Sequence, residues 1–169
     1  MNWAAFAEAA PELAELGRER LEARHLCLIG TLRRGGSPRI SPVEPYLTAG
    51  ELMIGMMPGS RKALDLLRDP RIVVHSVVTD WSGHEGDFKL YGTAIEVRDR
   101  ERRLALYRAA DAAHGWEPDP DEPEDPDNHI FALDIGSAAF VRFDKETWET
   151  WRWNPTDGLG LRKEVRPNT

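Results

Sequence analysis

The feature that most constrains this chain is a change of hydrophobic period at His25. From there on, apolar residues alternate with a period of two through three stretches, which short glycine-containing turns separate. The turns at residues 34–37 and 48–50 predict strands over residues 26–32, 38–47 and 51–57. Three consecutive strands with such short connections favour an antiparallel meander, which curls readily into a small barrel.

Two prolines interrupt the second of these strands. Pro42 and Pro45 cannot donate a hydrogen bond to a sheet ladder, so the strand is expected at an edge or at a bulge. Backbone groups that are freed in this way can hydrogen-bond the edge of a planar ligand. An edge strand that is protected against aggregation has the same sequence, and both interpretations stand at this stage.

A short helix follows the third strand. A Pro-Gly turn precedes Ser60, which occupies the N-cap position and is expected to accept a backbone N–H of the first helical turn through its hydroxyl. Leu64 and Leu67 repeat at i, i+3 and predict the buried stripe of this helix. The helix is expected to end at the Asp-Pro pair at 69–70, because proline disfavours helical geometry at the residue before it.

Two cations stand in the first turn of this helix. Arg61 and Lys62 lie where the helix dipole is positive, which disfavours cations. An anion bound there would explain them, and phosphate is the commonest anion at a helix start. The alternative is two solvated basic side chains.

The chain is expected to have three parts. Residues 1–24 form a helical segment in which Pro11 begins a second helix, residues 25–155 form the β domain, and residues 156–169 form a mobile tail. Within the β domain, the patterns predict a central strand over 71–79, a polar loop over 80–87 and a strand over 88–98 with a bend at Gly92. A helix is expected over 100–114, with Leu104, Tyr107 and Ala110 inward, and a solvated acidic Pro-rich loop over 117–127. Two further strands are expected, one over 129–143 with a kink at 136–137 and a last one over 147–153.

The last of these strands contains three tryptophans. Its alternation places Trp148 on one face and Trp151 and Trp153 on the other. So much aromatic surface is costly to leave in water, so it is expected to cover a core, a subunit interface or a flat ligand.

Composition excludes several classes of protein. The net charge of −7 disfavours binding to nucleic acid or to an anionic membrane. No apolar run approaches the roughly 20 residues of a membrane helix, and the acidic N-terminus is unlike a signal peptide. The single cysteine, Cys27, lies in an apolar run, is expected to be buried, and fits a reducing cytoplasm.

No nucleotide-binding glycine motif, nucleophile elbow or Cys-x-x-Cys pair is present. His84 and Glu85 are adjacent but lack further spaced ligands, so no metal site is predicted. His75 falls within the central strand, as a core or cavity-lining histidine.

The order of these elements resembles the pyridoxamine 5'-phosphate oxidase-like, flavin-binding split-barrel superfamily. The resemblance spans about residues 10–153, and three segments carry it: 28–43, 59–72 and Tyr91-Gly92-Thr93-Ala94. It implies a mainly β, α+β fold, in which a six-stranded antiparallel split β-barrel with flanking helices binds FMN. It also implies a homodimer with two cofactor sites at the subunit interface.

The resemblance also implies which residues hold the cofactor. The phosphate contacts fall on Ser60, Arg61 and Lys62, in agreement with the helix argument above. The strand that lies along the flavin corresponds to Arg39, Ile40, Ser41, Pro42 and Val43, and Met56 and Met57 border the ring or the ribityl chain. On the C-terminal strand, Trp151, Arg152 and Trp153 correspond to residues near the partner's flavin.

The function that the resemblance implies is a flavin-dependent oxidoreductase, which moves hydride to or from a small conjugated substrate. Candidate proton donors are His75, His84 and Tyr91. Residues 150–155 lack the Arg-x-His motif of the oxidase itself, which argues against vitamin B6 synthesis. The alternatives are a deazaflavin (F-420) reductase, a flavin-binding sensor without turnover, a structural dimer with an empty groove, and a haem protein that would need His75 or His84 as its axial ligand.

Overall fold

The computed structural model describes residues 1–117, 127–144 and 146–165. The helices are α1 (Trp3–Ala9), α2 (Pro11–Glu22), α3 (Arg61–Arg68) and α4 (Arg100–His114). The strands are β1 (Cys27–Leu32), β2 (Pro38–Val43), β3 (Pro45–Thr48), β4 (Glu51–Met56), β5 (Arg71–Ser76), β6 (Asp87–Glu96), β7 (His129–Phe143), β8 (Thr147–Asn154) and β9 (Gly158–Val165). The predicted acidic loop at 117–127 lies mostly outside the described residues.

The strands form one antiparallel sheet in the order β2-β1-β5-β6-β7-β4-β3, and β8 and β9 continue from β7. The two edges of this path, β2 and β3, are joined through Glu44 but are not paired with each other, so the curled sheet is split at this seam. This confirms the mainly β, split-barrel fold with flanking helices. The strand predicted over residues 38–47 is in fact two strands, and its prolines lie on the two sheet edges, where a missing N–H costs no ladder hydrogen bond.

A bulge bends the long β6–β7 ribbon. Tyr91 pairs with Ser137 and Gly92 pairs with Ile135, so Gly136 is the extra residue. A Cβ on Gly92 would lie 2.1 Å from the carbonyl oxygen of Asp134, so only glycine fits here. The predicted bend at Gly92 and the predicted kink at 136–137 are therefore two sides of one feature.

Two hydrophobic clusters hold the helices against the sheet. In the larger one, Trp3 and Phe6 of α1 and Leu13 of α2 pack with Phe88 and Trp153 from the sheet. In the smaller one, Leu106 of α4 packs on Tyr46, Met53 and Ile130. The inward positions of α4 are Arg103 and Leu106, whereas the predicted Tyr107 and Ala110 are only partly buried.

The C-terminal segment differs from the predicted mobile tail. Residues 158–165 form β9, which pairs with β8 across a turn in which Asn154 accepts the amides of Thr156 and Asp157. One row of ionic side chains fixes this hairpin to β7. Arg142, Glu149 and Lys163 stand directly opposite one another on the three strands, and both cations pair with the buried carboxylate.

The bulge generates a stability prediction. Gly92→Ala should lower the free energy of unfolding by about 2–3 kcal/mol, because the new methyl group would meet backbone rather than a mobile side chain. Gly35→Ala is the control, since nothing lies within 4 Å of that position. Urea unfolding of both variants measures the difference, and equal losses would contradict this account of the bulge.

Candidate functional site

The start of α3 is open to a ligand. Ser60 precedes the helix, but its side chain makes no capping hydrogen bond within the described chain, so the predicted cap is wrong. The amides of Arg61, Lys62 and Ala63 lie in the first turn, where a helix offers no carbonyl partner. Uncapped amides beside a free hydroxyl form a suitable anion site.

The predicted buried stripe of α3 is also wrong. Leu64 and Leu67 are 43% and 44% exposed, and the helix buries Ala63, Asp65 and Leu66 instead. Both sets contain an i, i+3 pair of apolar residues, so spacing alone could not choose between them. The helix is rotated so that a carboxylate faces inward.

Asp65, the inward carboxylate, is 4% exposed and joins α3 to the β1–β2 hairpin. It accepts from Arg39 Nε at 2.7 Å, from Thr31 Oγ1 at 3.1 Å and from Arg68 Nη2 at 3.0 Å. Arg68 also donates to the carbonyl of Leu32. Burial alone would raise the pKa of Asp65, but the hydrogen bonds from Arg39, Arg68 and Thr31 outweigh it and hold that pKa below its usual range.

The two cations of the first turn have different surroundings. Lys62 Nζ donates to the carbonyl oxygen of Pro42 at 2.9 Å, which ties the helix start to β2, whereas the Arg61 side chain is exposed. Burial raises the pKa of the Cys27 thiol to about 12, and the nearby charge of Lys62 opposes this rise. Lys62 therefore stands where the end of β2, the start of β1 and the start of α3 meet.

The other predicted contacts separate into two groups. Val43 and Met56 are buried in the core, and Arg39 is held by Asp65. Ile40 and Met57 are 73% and 77% exposed, while Ser41 is half-buried and Pro42 is exposed. The structure thus brings Ser60, Arg61 and Lys62 to the end of β2, with the exposed Met57 in the turn between β4 and α3.

The candidates on β8 lie on its two different faces. Trp153 is buried against Phe6, at 5.0 Å between ring centroids, and Trp151 is partly buried against the same core. Arg152 points to the opposite, exposed face. Trp151 and Arg152 therefore cannot both line one surface of this strand.

The candidate proton donors lie in two places. His75 and Tyr91 stand on the outer face of the sheet, where His75 Nε2 is 4.0 Å from Asp87 Oδ1 and Nδ1 is 2.6 Å from the carbonyl oxygen of Ser76. His84 is exposed in the loop between β5 and β6. Its neighbour Glu85 accepts from the amides of Thr79 and Asp80, so this carboxylate has a structural role.

The outer face of β2, β1, β5 and β6 carries apolar side chains that none of the four described helices covers. One cross-strand row contains Ile40, Gly30, Val73 and Tyr91, and Leu28 stands in the next. Ile40, Leu28 and Tyr91 are all substantially exposed. The sequence indicates this apolar outer face through residues 71–79, which are apolar on both faces of the strand. It does not indicate the buried role of Asp65, because the partners Thr31 and Arg39 are distant in sequence.

One protein family matches this chain. The model of the pyridoxamine 5'-phosphate oxidase family matches residues 13–142. A search of curated proteins finds no significant match. Among the described residues, no helix is long and apolar enough to cross a membrane.

Solved structures share the fold at low sequence identity. A pyridoxamine 5'-phosphate oxidase-related, FMN-binding protein from Nostoc punctiforme is 15% identical, with a TM-score of 0.63, over 94% of this chain and 96% of that one. ChuZ from Campylobacter jejuni is 14% identical, with a TM-score of 0.71, over 94% and 66%. A heme-binding protein from Mycobacterium smegmatis is 12% identical, with a TM-score of 0.54, over 91% and 90%.

The network around Asp65 generates a second stability prediction. Asp65→Ala should lower the free energy of unfolding by about 2–4 kcal/mol at pH 7, because it leaves Arg39 and Arg68 without their buried partner. The folded-state pKa of Asp65 is depressed, so its contribution is complete above the unfolded pKa of about 3.9 and is lost as pH falls through the folded value.

The gap between wild type and variant should therefore narrow in acid. Asp69→Asn is the control, because Asp69 pairs with Arg71, which is mostly exposed, and its loss should cost much less stability than the loss of Asp65. Urea titrations at pH 7 and pH 3 measure both. A gap that does not depend on pH, or a control that is equally costly, would refute the assignment.

Proposed function

Because this chain belongs to the pyridoxamine 5'-phosphate oxidase family, we propose that it is a flavin-dependent oxidoreductase that binds FMN at a homodimer interface. The observation that carries the proposal is the uncapped start of α3 beside Arg61 and Lys62. FMN-binding by the Nostoc punctiforme relative supports the choice of cofactor. The single buried thiol fits a reducing cytoplasm as its location.

The FMN phosphate would sit against the first turn of α3. The amides of Arg61 and Lys62 and the hydroxyl of Ser60 would donate to it, and the two side chains would supply positive charge. The hydrogen bond from Lys62 to Pro42 holds this corner in place before the ligand arrives. Asp65 keeps α3 fixed on the β1–β2 hairpin. Binding therefore costs little conformational entropy, because the helix is already in position.

The flavin ring would lie along β2, on the exposed Ile40 and beside Ser41 and Pro42. Since β2 is a sheet edge, one side of its backbone is not paired and can hydrogen-bond the edge of the ring. Met57 would border the ring or the ribityl chain. Arg152, which faces outward on β8, would lie near the flavin of the partner's site.

The cofactor supplies the hydride chemistry when it is bound. The chain would bind its phosphate, orient a small conjugated substrate and supply a proton. His75 is the proposed donor on the outer face, where its Nε2 lies 4.0 Å from Asp87 Oδ1. A deazaflavin coenzyme would use the same phosphate corner, and a sensor would bind FMN without turnover.

The uncovered sheet face supports a homodimer. A monomer seldom exposes a contiguous apolar patch of this kind, and Ile40, Leu28 and Tyr91 lie in neighbouring cross-strand rows. The same face carries the charged pair Asp87 and Lys89, so a twofold axis can match each charge with its opposite. Pairing two copies here would also place the β2 residues at the interface.

The phosphate corner predicts a loss of affinity. Changing Arg61 and Lys62 together to Ala should weaken FMN about tenfold or more for each charge-assisted contact that is lost. Arg33 and Arg34, changed together to Ala, are the control, because they are exposed in the β1–β2 turn. Calorimetric titration measures both, and unchanged FMN affinity in the first variant would remove the anchoring assignment.

A charge in the proposed interface predicts dissociation. Ile40→Glu should shift the dimer towards monomer, because the carboxylate would have to be buried without a partner. Trp116→Glu, an exposed aromatic beyond the end of α4, is the control. Sedimentation velocity over a concentration series tests this, and a variant as dimeric as wild type would exclude this face.

Bound cofactor and turnover can be separated in one preparation. Mass spectrometry of the small molecule that co-purifies distinguishes FMN, a deazaflavin coenzyme and haem. Bleaching of the flavin absorbance by a nicotinamide donor, followed by reoxidation by an added substrate, identifies an enzyme rather than a sensor. Protein without any bound cofactor, and without affinity for added FMN, would overturn the proposal.

A further inference from the structure

The hairpin of β8 and β9 lies beyond residues 13–142, the part that the family model matches. Its inner face is fixed to the body of the protein, because Trp153 is buried in the core and Glu149 pairs with Arg142 and Lys163. The outer face is therefore held in one shape without a ligand.

This outer face contains a cavity of about 280 Å³, which we call the hairpin recess. Its lining residues are Trp148, Thr150, Arg152, Gly160, Leu161, Arg162 and Glu164. In the order of the sheet, β1, β5, β6 and β7 separate β8 from β2, the strand beside the phosphate corner.

Gly160 keeps the recess open, and the fold does not require glycine there. Its φ lies outside the left-handed region, and a Cβ would come no closer than 3.9 Å, to the carbonyl oxygen of Arg152. Gly160 stands directly opposite Arg152, so the missing side chain leaves space beside that arginine. A side chain at this position would fill the recess without straining the backbone.

The recess has a net positive charge. Arg162 pairs with Glu164, which neutralises it, whereas Arg152 forms no hydrogen bond or ion pair within the described parts of the chain. Thr150 stands on the same face, directly opposite Arg162. An unpaired guanidinium is suited to a carboxylate, which it can bind through two parallel hydrogen bonds.

Trp148 supplies a flat apolar wall. Its indole packs edge-on against Phe143, with ring centroids 5.5 Å apart and planes at 87°, which fixes its orientation. The side chain is still 42% exposed, so a planar group can lie against it. The volume suits a ligand of one or two rings.

We propose that the hairpin recess binds a small planar organic anion, with the carboxylate on Arg152 and the rings against Trp148. One part of this proposal rests on the proposed function: the substrate of the oxidoreductase is itself a small planar organic anion. None of the residues that line the recess belongs to the phosphate corner, so the two proposals can fail separately.

The test is a calorimetric titration of the full-length chain with 2-naphthoate and with its neutral isostere 2-naphthamide. Naphthoate should bind at least about tenfold more tightly, because only the anion pairs with Arg152. Arg152→Gln should remove this difference. Gly160→Val should abolish binding of both compounds while leaving the unfolding midpoint unchanged.

Arg34→Gln and Gly35→Val are matched controls on another exposed hairpin, where the glycine also has open space, and both should bind naphthoate like wild type. FMN titrated into the Gly160→Val protein separates the two proposals, because FMN affinity should persist when naphthoate binding is lost. Equal affinity for the two compounds in wild type, or unchanged naphthoate affinity in either recess variant, overturns the proposal.

Discussion

The buried carboxylate of Asp65 fixes the position of α3, and so of its first turn, on the sheet. It takes hydrogen bonds from β1, from β2 and from the last turn of its own helix, so the helix is clamped to the β1–β2 hairpin. Two cations at a helix start are unfavourable unless an anion joins them. Here the clamp holds Arg61 and Lys62 beside the end of β2, and Lys62 adds a hydrogen bond to Pro42.

The split in the barrel gives this corner its access. β2 and β3 are consecutive in the chain but lie at opposite edges of the sheet, so the backbone of β2 is not paired on one side. An edge strand tolerates proline, which has no N–H to donate, and proline also discourages pairing with another strand. Pro42 lies on the edge strand β2 and Pro45 on the edge strand β3. The apolar outer face then extends from β2 across β1 and β5 to β6, so cofactor site and proposed subunit contact share one strand.

Much of this fold follows from the sequence alone. The period of two, the glycine turns and the Asp-Pro stop are local signals, and they predicted the β elements and the bounds of α3. Asp65 was not predicted, because Thr31 and Arg39 are far from it in the chain and only the folded sheet brings them together. The buried face of α3 was misassigned for the same reason, and β9 was missed because its alternation is weak and its support comes from β8.

The central claim is that the start of α3 binds the phosphate of a flavin nucleotide. Its most direct test compares FMN with riboflavin, which has the same ring and ribityl chain but no phosphate, by calorimetric titration into the cofactor-free protein. The account predicts that FMN binds at least about a hundredfold more tightly, since several charge-assisted hydrogen bonds go to the phosphate alone. Equal affinities for the two compounds would contradict it.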